Sequence, residues 1–205
     1  MSHEVSGAYG ARAEQYHELL GTAEEASPRE VELITRWAQT LDGPVIDAGA
    51  GSGRWTNYLN QMGLEVMGMD ITPELVAIGR RQYPGVAINL GPMDSLLASD
   101  GYLAGILAWY SIIHTPPEDL PAILTEFNRA LSPGGSVLLS YFDGPCLEPF
   151  DHPITTAWTW PLPNMTAVLN TAGFQVMEVN QQPNPGHWSH AAIIAVKQET
   201  TQGEN

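Results

Sequence analysis

The stretch VIDAGAGSGRWT, residues 45–56, decides the fold of this chain. It starts as a short apolar run that predicts a buried strand, and Asp47 lies near the end of that run. Gly49, Gly51 and Gly53 follow at alternate positions, where glycine permits backbone angles that other residues resist and lets a ligand approach the main chain closely. The stretch predicts a strand-to-helix turn, and the glycines alone leave open whether that turn holds a ligand.

The rest of the chain repeats this alternation of strand and helix. Short apolar runs bounded by turn residues cover residues 44–48, 64–69, 86–90, 105–110 and 136–142. Helical segments separate the runs, and this pattern predicts a parallel sheet with crossover helices. Two closing runs, 174–181 and 190–197, are joined without a helix, so we expect them to pair antiparallel. A length of 205 residues suits one α/β domain rather than two.

Two helical patterns precede the glycine-rich stretch. The sequence SPRE at 27–30 is a capping box with proline at the first helical position, and it predicts the start of the second helix. The first helix is predicted over residues 8–20. It places Tyr9, Arg12 and Tyr16 on one side, at spacings of three and four. The pattern alone fits an amphipathic brace equally well as a segment that covers a ligand.

Composition excludes several classes of function. The net charge of −15, from 8 Lys and Arg against 23 Asp and Glu, would repel a polyanion, so we expect no nucleic-acid partner. Cys146 is the single cysteine, and no His/Cys cluster has zinc spacing, so we expect neither a disulfide nor a metal. There is no leader-like N-terminus and no apolar window of the ~18 residues that a membrane span needs. We therefore expect an unprocessed cytoplasmic protein without a membrane partner.

Two acids narrow the class of ligand. A dinucleotide fingerprint, G-x-G-x-x-G, would need glycine where this chain has Arg54. Asp47 at the end of the first strand would repel a phosphate and attract a cation or an amine. Asp70 closes the run at 64–69, nineteen positions after Gly51 (70 − 51), where a carboxylate can accept hydrogen bonds from both hydroxyls of a ribose. A lone Asp at a strand end is more often a helix cap, but the glycine-rich turn and Asp47 favour a nucleoside.

In their order and spacing, the motifs resemble those of class I S-adenosylmethionine-dependent methyltransferases. The motifs are VIDAGAGSGRWT, MGMDITPELVAIGRR, GPMDSL, GILAWYSIIH, RALSPGGSVLLSYF and TAGFQVMEV, and the similarity runs from about residue 9 to 197. The resemblance implies a Rossmann-like domain over 1–198, with N-terminal helices and a lid in 1–42 and a polar tail at 199–205. It also implies a seven-stranded, mostly parallel sheet with an antiparallel last strand and helices on both faces.

The resemblance further implies the cofactor S-adenosylmethionine and the product S-adenosylhomocysteine. The residues that it assigns to the cofactor are Asp47, Gly49, Gly51 and Gly53 at the methionine end, Asp70 at the ribose, Ile71, Met93 and Asp94 around the adenine, and Trp109 and Tyr110 at the sulfonium. Without the resemblance, Met93 is typical of a core position and Asp94 of a turn. Trp109 and Tyr110 fit strand-end packing as well as a sulfonium contact.

The implied reaction is an in-line displacement of the methyl group onto an oxygen, nitrogen or carbon of a small acceptor. His114 follows the fourth strand and is the candidate general base, although a helix-start histidine fits the same position. In similar methyltransferases the segment that holds Tyr9 and Tyr16 folds over the cofactor as a lid. In a chain with so few cations, Arg12 and Arg54 suggest that these four residues form a substrate site for an anionic acceptor, although both fit a plain surface.

Two alternatives stay open at this stage. The first is a noncatalytic module that binds S-adenosylmethionine or S-adenosylhomocysteine, and an acceptor cavity blocked by the 143–163 loop would favour it. The second and weaker one is an NAD(P)-dependent oxidoreductase, which Arg54 and Asp47 oppose. In the loop, Phe150, Trp158 and Trp160 either form an apolar wall above the methyl group or plug the site. No N-P-P-Y-like tetrapeptide follows the fourth strand, so the pattern of nucleic-acid methyltransferases is absent from the sequence.

Overall fold

The computed structural model describes residues 3–184 and 188–199 of the chain. All but the first residue of the predicted polar tail at 199–205 therefore lies outside the described residues. The helices are α1 (His3–Gly10), α2 (Ala13–Leu20), α3 (Pro28–Ala38), α4 (Arg54–Gln61), α5 (Pro73–Gln82), α6 (Leu120–Ala130) and α7 (Leu162–Thr171), with a single 3₁₀ turn at Ala23–Glu25. The strands are β1 (Val45–Ala48), β2 (Val66–Asp70), β3 (Ala87–Leu90), β4 (Leu103–Ala108), β5 (Leu131–Asp143), β6 (Glu148–Phe150), β7 (Ala157–Trp160), β8 (Phe174–Gln182) and β9 (Ser189–Lys197).

One sheet runs through the domain in the order β3-β2-β1-β4-β5-β9-β8. Its first five strands are parallel, and β9 lies antiparallel between β5 and β8. This arrangement confirms the predicted seven-stranded sheet with an antiparallel last strand. The order reverses between β1 and β4, and in open α/β sheets a ligand binds beyond the carboxyl ends of strands at such a point.

A short hairpin was not predicted from the sequence. Strands β6 and β7 pair antiparallel within the 143–163 segment, and β7 continues the sheet by pairing parallel with Phe142 and Asp143 of β5. The prolines at 149, 153 and 161 and the short apolar run at 157–160 obscure any strand pattern in the sequence. The segment predicted as a loop is therefore tied to the carboxyl end of the sheet, next to the switch point.

Alternating side chains of the central strands build a core on each face of the sheet. Val45, Leu107 and Leu138 pack with residues of α3 and α4. Their neighbours Ile106 and Leu139 point the other way and pack with residues of α6 and α7. This period of two on strands that are buried on both faces confirms helices on both sides of the sheet.

The N-terminal segment differs from the single helix predicted over 8–20. It is broken at Ala11 and Arg12 into α1 and α2. A Cβ atom at Gly10 would lie 2.6 Å from a carboxylate oxygen at the end of the flexible Glu74 side chain, so glycine lets that side chain of α5 lie close to the end of α1. By contrast, the capping box before α3 is present as predicted, with Glu30 N–H donating to Ser27 Oγ at 3.3 Å. No helix in the described part of the chain has the length and apolar character of a membrane span.

Candidate active site

A narrow cavity of about 50 Å³ lies beyond the carboxyl ends of β1, β2 and β4. Ten of the residues singled out from the sequence line it: Tyr9, Tyr16, Gly49, Gly51, Asp70, Ile71, Met93, Trp109, Tyr110 and His114. The other five, Asp47, Gly53, Asp94, Arg12 and Arg54, do not lie on its wall. The fold therefore brings most of the predicted residues together around the switch point.

Two glycines after β1 shape the floor of the cavity. Gly49 has φ +81° and Gly51 has φ +57°, both in the left-handed region that favours glycine. A Cβ atom at Gly49 would lie 2.2 Å from Cβ of Ser111, whereas one at Gly51 would meet only the ring of Tyr16 at 3.5 Å. Gly49 thus allows the turn to approach the segment after β4, and Gly51 leaves backbone facing the cavity.

Asp70, the last residue of β2, fixes the turn from the other side. Its carboxylate accepts hydrogen bonds from the N–H groups of Gly51 and Thr72, each at 2.8 Å. Burial raises the pKa of Asp70, while the N–H donors of Thr72 and Gly51 act in the opposite direction. A carboxylate has about four lone-pair sites, so two donors leave acceptor capacity for a ligand in the cavity.

Asp47 lies beneath the turn rather than on the cavity wall. Its carboxylate accepts a 2.7 Å hydrogen bond from the hydroxyl of Thr56 on α4, and only 2% of the residue is exposed. Burial raises the pKa of Asp47 to about 6, against the opposing effect of the Thr56 hydrogen bond. Gly53 is also outside the wall, since it precedes α4 and its missing Cβ faces Ile88.

The predicted adenine side of the site is only partly assembled. Ile71 and Met93 line the cavity, and Met93 is 2% exposed. Asp94 is exposed and lies beside the cavity, not on its wall. The carbonyl oxygen of Ile71 accepts a 3.0 Å hydrogen bond from Ser6 of α1, which ties the N-terminal segment to this side.

His114 is held in a defined orientation by two hydrogen bonds. Its Nδ1 lies 2.8 Å from the carbonyl oxygen of Thr156, and its Nε2 lies 3.0 Å from the hydroxyl of Tyr9. Because a carbonyl oxygen can only accept, Nδ1 carries the proton and Nε2 is the acceptor, to which Tyr9 donates. Burial lowers the pKa of His114 below its ordinary value of 6.5, so the ring is neutral at pH 7 with a lone pair on Nε2.

Tyr110 stands out because its backbone is strained. Its φ of +51° makes it the single non-glycine residue with positive φ among the described residues. Its N–H donates to Ser140 Oγ at 2.8 Å, and its hydroxyl lies 2.6 Å from Nδ1 of His190. The adjacent Trp109 donates from Nε1 to a carboxylate oxygen of Glu30 at 3.1 Å. Strain of this kind persists where neighbouring groups hold it, and it clusters at functional sites.

Helices α1 and α2 cover the turn and account for the small size of the cavity. The rings of Tyr9 and Tyr16 pack edge to face, 5.4 Å apart, above the glycines. His17 Nδ1 lies 2.9 Å from the hydroxyl of Ser52 and attaches α2 to the turn. Pockets for small ligands measure about 300–1,000 Å³, so a nucleoside-bearing ligand requires these helices to shift.

Neither of the two arginines predicted for the substrate site lines the cavity. Arg12, at the break between α1 and α2, donates to the carbonyl oxygen of Pro153. The guanidinium of Arg54 lies 4.8 Å from the ring centre of Trp55. Of the three aromatic residues expected above the methyl group, Trp160 is in the core and Trp158 packs against it. The third, Phe150, lines a separate open groove beside the cavity.

Sequence reasoning missed Ser111, Thr72, Val5 and Leu75, which also line the cavity. The hydroxyl of Ser111 is buried and has no hydrogen-bond partner among the described residues. Ser111 directly follows Trp109 and Tyr110, so its position after the fourth strand was the available signal. A buried hydroxyl without a partner beside two bare glycines and a carboxylate fits a polar, nucleoside-bearing ligand. Within residues 3–184 and 188–199, no group of three His, Cys, Asp or Glu side chains could hold a metal ion.

Comparison with known proteins connects this geometry to one family. Residues 45–135 match the family model described as a methyltransferase domain. The malonyl-[acyl-carrier protein] O-methyltransferase of Erwinia billingiae is 26% identical over 155 residues, which cover 75% of this chain and 58% of that protein. The demethylmenaquinone methyltransferase of Beutenbergia cavernae is 26% identical over 152 residues, covering 73% and 62%. The chain thus spans about three fifths of the length of these curated relatives.

A solved structure shares the fold over nearly the whole chain. The 1,6-didemethyltoxoflavin-N1-methyltransferase of Burkholderia thailandensis, with 1,6-didemethyltoxoflavin and S-adenosylhomocysteine bound, has a TM-score of 0.69. The identity is 20%, and the match covers 97% of this chain and 92% of that one. This likeness and the sheet order show that the chain has the fold of class I S-adenosylmethionine-dependent methyltransferases, and residues 45–135 match the methyltransferase-domain family model.

Proposed function

We propose that this chain transfers a methyl group from S-adenosylmethionine to an oxygen, nitrogen or carbon atom of a small-molecule acceptor and releases S-adenosylhomocysteine. The main observation behind the proposal is that Gly49, Gly51, Asp70 and His114 line one cavity. The ring of His114 is neutral, and its unprotonated nitrogen is Nε2. The match of residues 45–135 to the methyltransferase-domain family model supports the proposal.

In this proposal the residues around the turn hold the cofactor. Asp70 accepts from the ribose hydroxyls with the lone pairs that Gly51 and Thr72 leave available. The buried hydroxyl of Ser111 forms a hydrogen bond with the ligand. The remaining contacts are those of Ile71 and Met93 with the adenine, Asp94 with its amine, and Asp47, Gly53, Trp109 and Tyr110 around the methionine end.

Helices α1 and α2 act as a lid in this proposal. Tyr9 and Tyr16 fill the space above the glycines, and the hydrogen bonds of Ser6 and His17 attach the two helices to β2 and to the turn. Each such hydrogen bond contributes only about 1 kcal/mol net, so the lid can open without unfolding the sheet beneath it. Opening enlarges the cavity, and closing excludes water from the reacting atoms.

The chemistry needs alignment and removal of one proton. The sulfonium of the cofactor supplies an electrophilic methyl group, so the bond from carbon to the acceptor atom forms as the bond to sulfur breaks. His114 takes the proton of the acceptor on Nε2, the lone pair that accepts from Tyr9 in this structure, and the Tyr9 hydroxyl gives up that lone pair when the lid recloses over both bound ligands. The bond from Nδ1 to Thr156 keeps the ring in the tautomer that this step requires.

The acceptor class is a small molecule in this proposal. The names of the relatives state acceptors as different as malonyl-[acyl-carrier protein] and demethylmenaquinone, so similarity alone does not select one. An open groove of about 700 Å³ lies beside the cavity, next to the β6–β7 hairpin. The hairpin therefore leaves space for an acceptor, and this favours the enzyme over a noncatalytic binding module.

Formation of S-adenosylhomocysteine from S-adenosylmethionine tests the proposal, with the protein incubated against a panel of small phenols, amines and carboxylic acids. We expect acceptor-dependent product, and a His114→Asn variant with a rate lower by about 10²–10⁴-fold and an unchanged affinity for S-adenosylhomocysteine. The pH at which the wild-type rate falls to half should lie below 6.5, because the neutral form of His114 is active and burial lowers its pKa from that value. Tight cofactor binding without turnover of any acceptor would favour the binding module instead.

A further inference from the structure

A ring-lined groove lies beside the cofactor cavity and is separate from it. It is open to solvent, measures about 700 Å³ and is lined by Phe142 of β5, Phe150 of β6 and Trp188 just before β9. Phe150 lies 5.2 Å from Phe142 and 5.3 Å from Trp188 between ring centres, with the rings tilted at 89° and 47°. All three side chains are half-buried, so each keeps part of its ring accessible. We call this surface the aromatic groove.

The aromatic groove adjoins the cavity at two residues of the cavity wall, His114 and Tyr110. His114, which lines the cavity, lies 5.0 Å from the ring of His152, which lines the groove. On the other side Tyr110, also on the cavity wall, contacts Phe142 at 5.7 Å and bonds to His190 of the groove. A molecule in the groove is therefore one ring away from the proposed base, across His152, and one ring away from the strained turn at Tyr110, across Phe142 and His190.

The charges around the groove disfavour the binding of an anion. Among its described lining residues there is no lysine or arginine, and the one ionised side chain is the carboxylate of Asp151. Burial lowers the pKa of His152 to about 4, and burial also lowers that of His190. Both rings are neutral at pH 7, so they add no positive charge. The guanidinium of Arg12 is engaged with the carbonyl oxygen of Pro153, the residue after His152.

Resting on the function proposed above, we infer that the acceptor is a flat aromatic molecule without negative charge, bound in the aromatic groove against Phe150 and Trp188. Half-buried rings spaced 5.2 and 5.3 Å apart favour a planar aromatic partner, because offset and edge-to-face contacts between rings add to the burial of apolar area. This replaces the anionic acceptor that Arg12 and Arg54 suggest in the sequence, since neither guanidinium lines the groove.

Calorimetry on the full chain loaded with S-adenosylhomocysteine tests the inference with three matched probes. These are 1-naphthol, its anionic counterpart 1-naphthoate and its saturated, nonplanar counterpart decahydro-1-naphthol. We expect 1-naphthol to bind, and both counterparts to bind at least about tenfold more weakly, because each loses either the neutral charge or the aromatic face. Separate titration of S-adenosylhomocysteine distinguishes the two proposals, since its failure to bind would overturn the function and not only the acceptor class.

Substitutions in and outside the groove test where 1-naphthol binds. Trp188→Ala should lower the affinity for 1-naphthol by about tenfold, and Trp188→Phe should retain most of the wild-type affinity because it keeps an aromatic ring at this position. Met177→Ala serves as the control, because Met177 is 60% exposed on β8 and does not line the groove. Binding of 1-naphthoate or decahydro-1-naphthol as tight as that of 1-naphthol overturns the inference. So does equal affinity in Trp188→Ala, or a lack of 1-naphthol binding to protein that does bind S-adenosylhomocysteine.

Discussion

The cavity at the glycine-rich turn and the aromatic groove are neighbours, but they are formed in different ways. The cavity is made by the ends of adjacent parallel strands, and Gly49, Gly51 and Asp70 each meet a local backbone requirement there. The groove gathers Phe142, Phe150 and Trp188 from three separate stretches of the chain. The cavity depends on local backbone conformation and can therefore be predicted from the sequence. The aromatic groove depends on tertiary packing and cannot.

The two regions also differ in how they are covered. Helices α1 and α2 reduce the cavity to about 50 Å³, while the groove of about 700 Å³ is open. An acceptor could therefore enter without a rearrangement, but a nucleoside-bearing cofactor needs the lid to move. The predictions below test the backbone of the cavity first, then its buried charge, and then its lid.

The largest effect is expected at Gly49, where the backbone requirement is strictest. Gly49→Ala should lower the free energy of unfolding by about 2–5 kcal/mol, since a left-handed alanine costs about 1–2 kcal/mol and the collision with Ser111 costs about 1–3 more. Gly63→Ala is a matched control: its φ is +90°, but nothing lies within 4 Å of the added carbon. Chemical denaturation measures both variants. Equal losses would mean that the contact with Ser111 does not constrain the turn.

A smaller effect is expected from the buried charge of Asp47. The folded-state pKa of about 6 lies above the ordinary 3.8, so the carboxyl favours the folded state fully below pH 3.8 and loses that contribution as the pH rises through 6. Asp47→Asn should therefore be more stable than wild type above pH 6, by at most about 3 kcal/mol, with no such gain near pH 4.

Thermal unfolding at pH 4 and pH 7.5 measures the effect of Asp47→Asn, with Asp42→Asn at an exposed position as the control. If Asp47→Asn changed the dependence of stability on pH no more than Asp42→Asn does, the carboxyl beneath the turn would not be destabilised by burial.

The smallest effect is expected from the lid. His17→Ala removes the hydrogen bond between α2 and Ser52, worth about 1 kcal/mol, and should speed the association of S-adenosylhomocysteine by about fivefold. Stopped-flow tryptophan fluorescence can follow it, because Trp109 lines the cavity. Leu19→Ala on the same helix is the control, since Leu19 is 65% exposed. Unchanged rates in both variants would exclude α2 as the gate.

What the sequence could predict follows the same division. The alternation of strands and helices, the capping box at Ser27 and the position of Asp70 at a strand end depend on periodicity and local hydrogen bonding, so they were predictable. The break after Gly10 is not revealed by the helical pattern over 8–20, and the side chain of Glu74 comes close to Gly10 only in the folded chain. The assignment of Arg12 to the acceptor came from its place in the predicted lid and from the small number of cations, and its hydrogen bond to Pro153 also arises only in the folded chain.

The acceptor side was the least predictable part of the site. Trp158 and Trp160 have the same apolar character as Phe150, and only the pairing of β6 with β7 sends the tryptophans to the core and leaves Phe150 in the groove. The contacts of His152 and His190 with the cavity wall join positions 114 and 152 and positions 110 and 190, too far apart for a sequence pattern.

The central claim is that the turn after β1 and the carboxylate of Asp70 bind S-adenosylmethionine and its product, and titration calorimetry with S-adenosylhomocysteine tests it most directly. We predict a micromolar Kd for the wild type, no binding of nicotinamide dinucleotides, and at least about tenfold weaker binding by Asp70→Asn, because a hydrogen bond to a charged group contributes about 1.5–3 kcal/mol. Circular dichroism of the variant would establish that it is folded. Absence of binding by the wild type, or an equal Kd in folded Asp70→Asn, would contradict the claim.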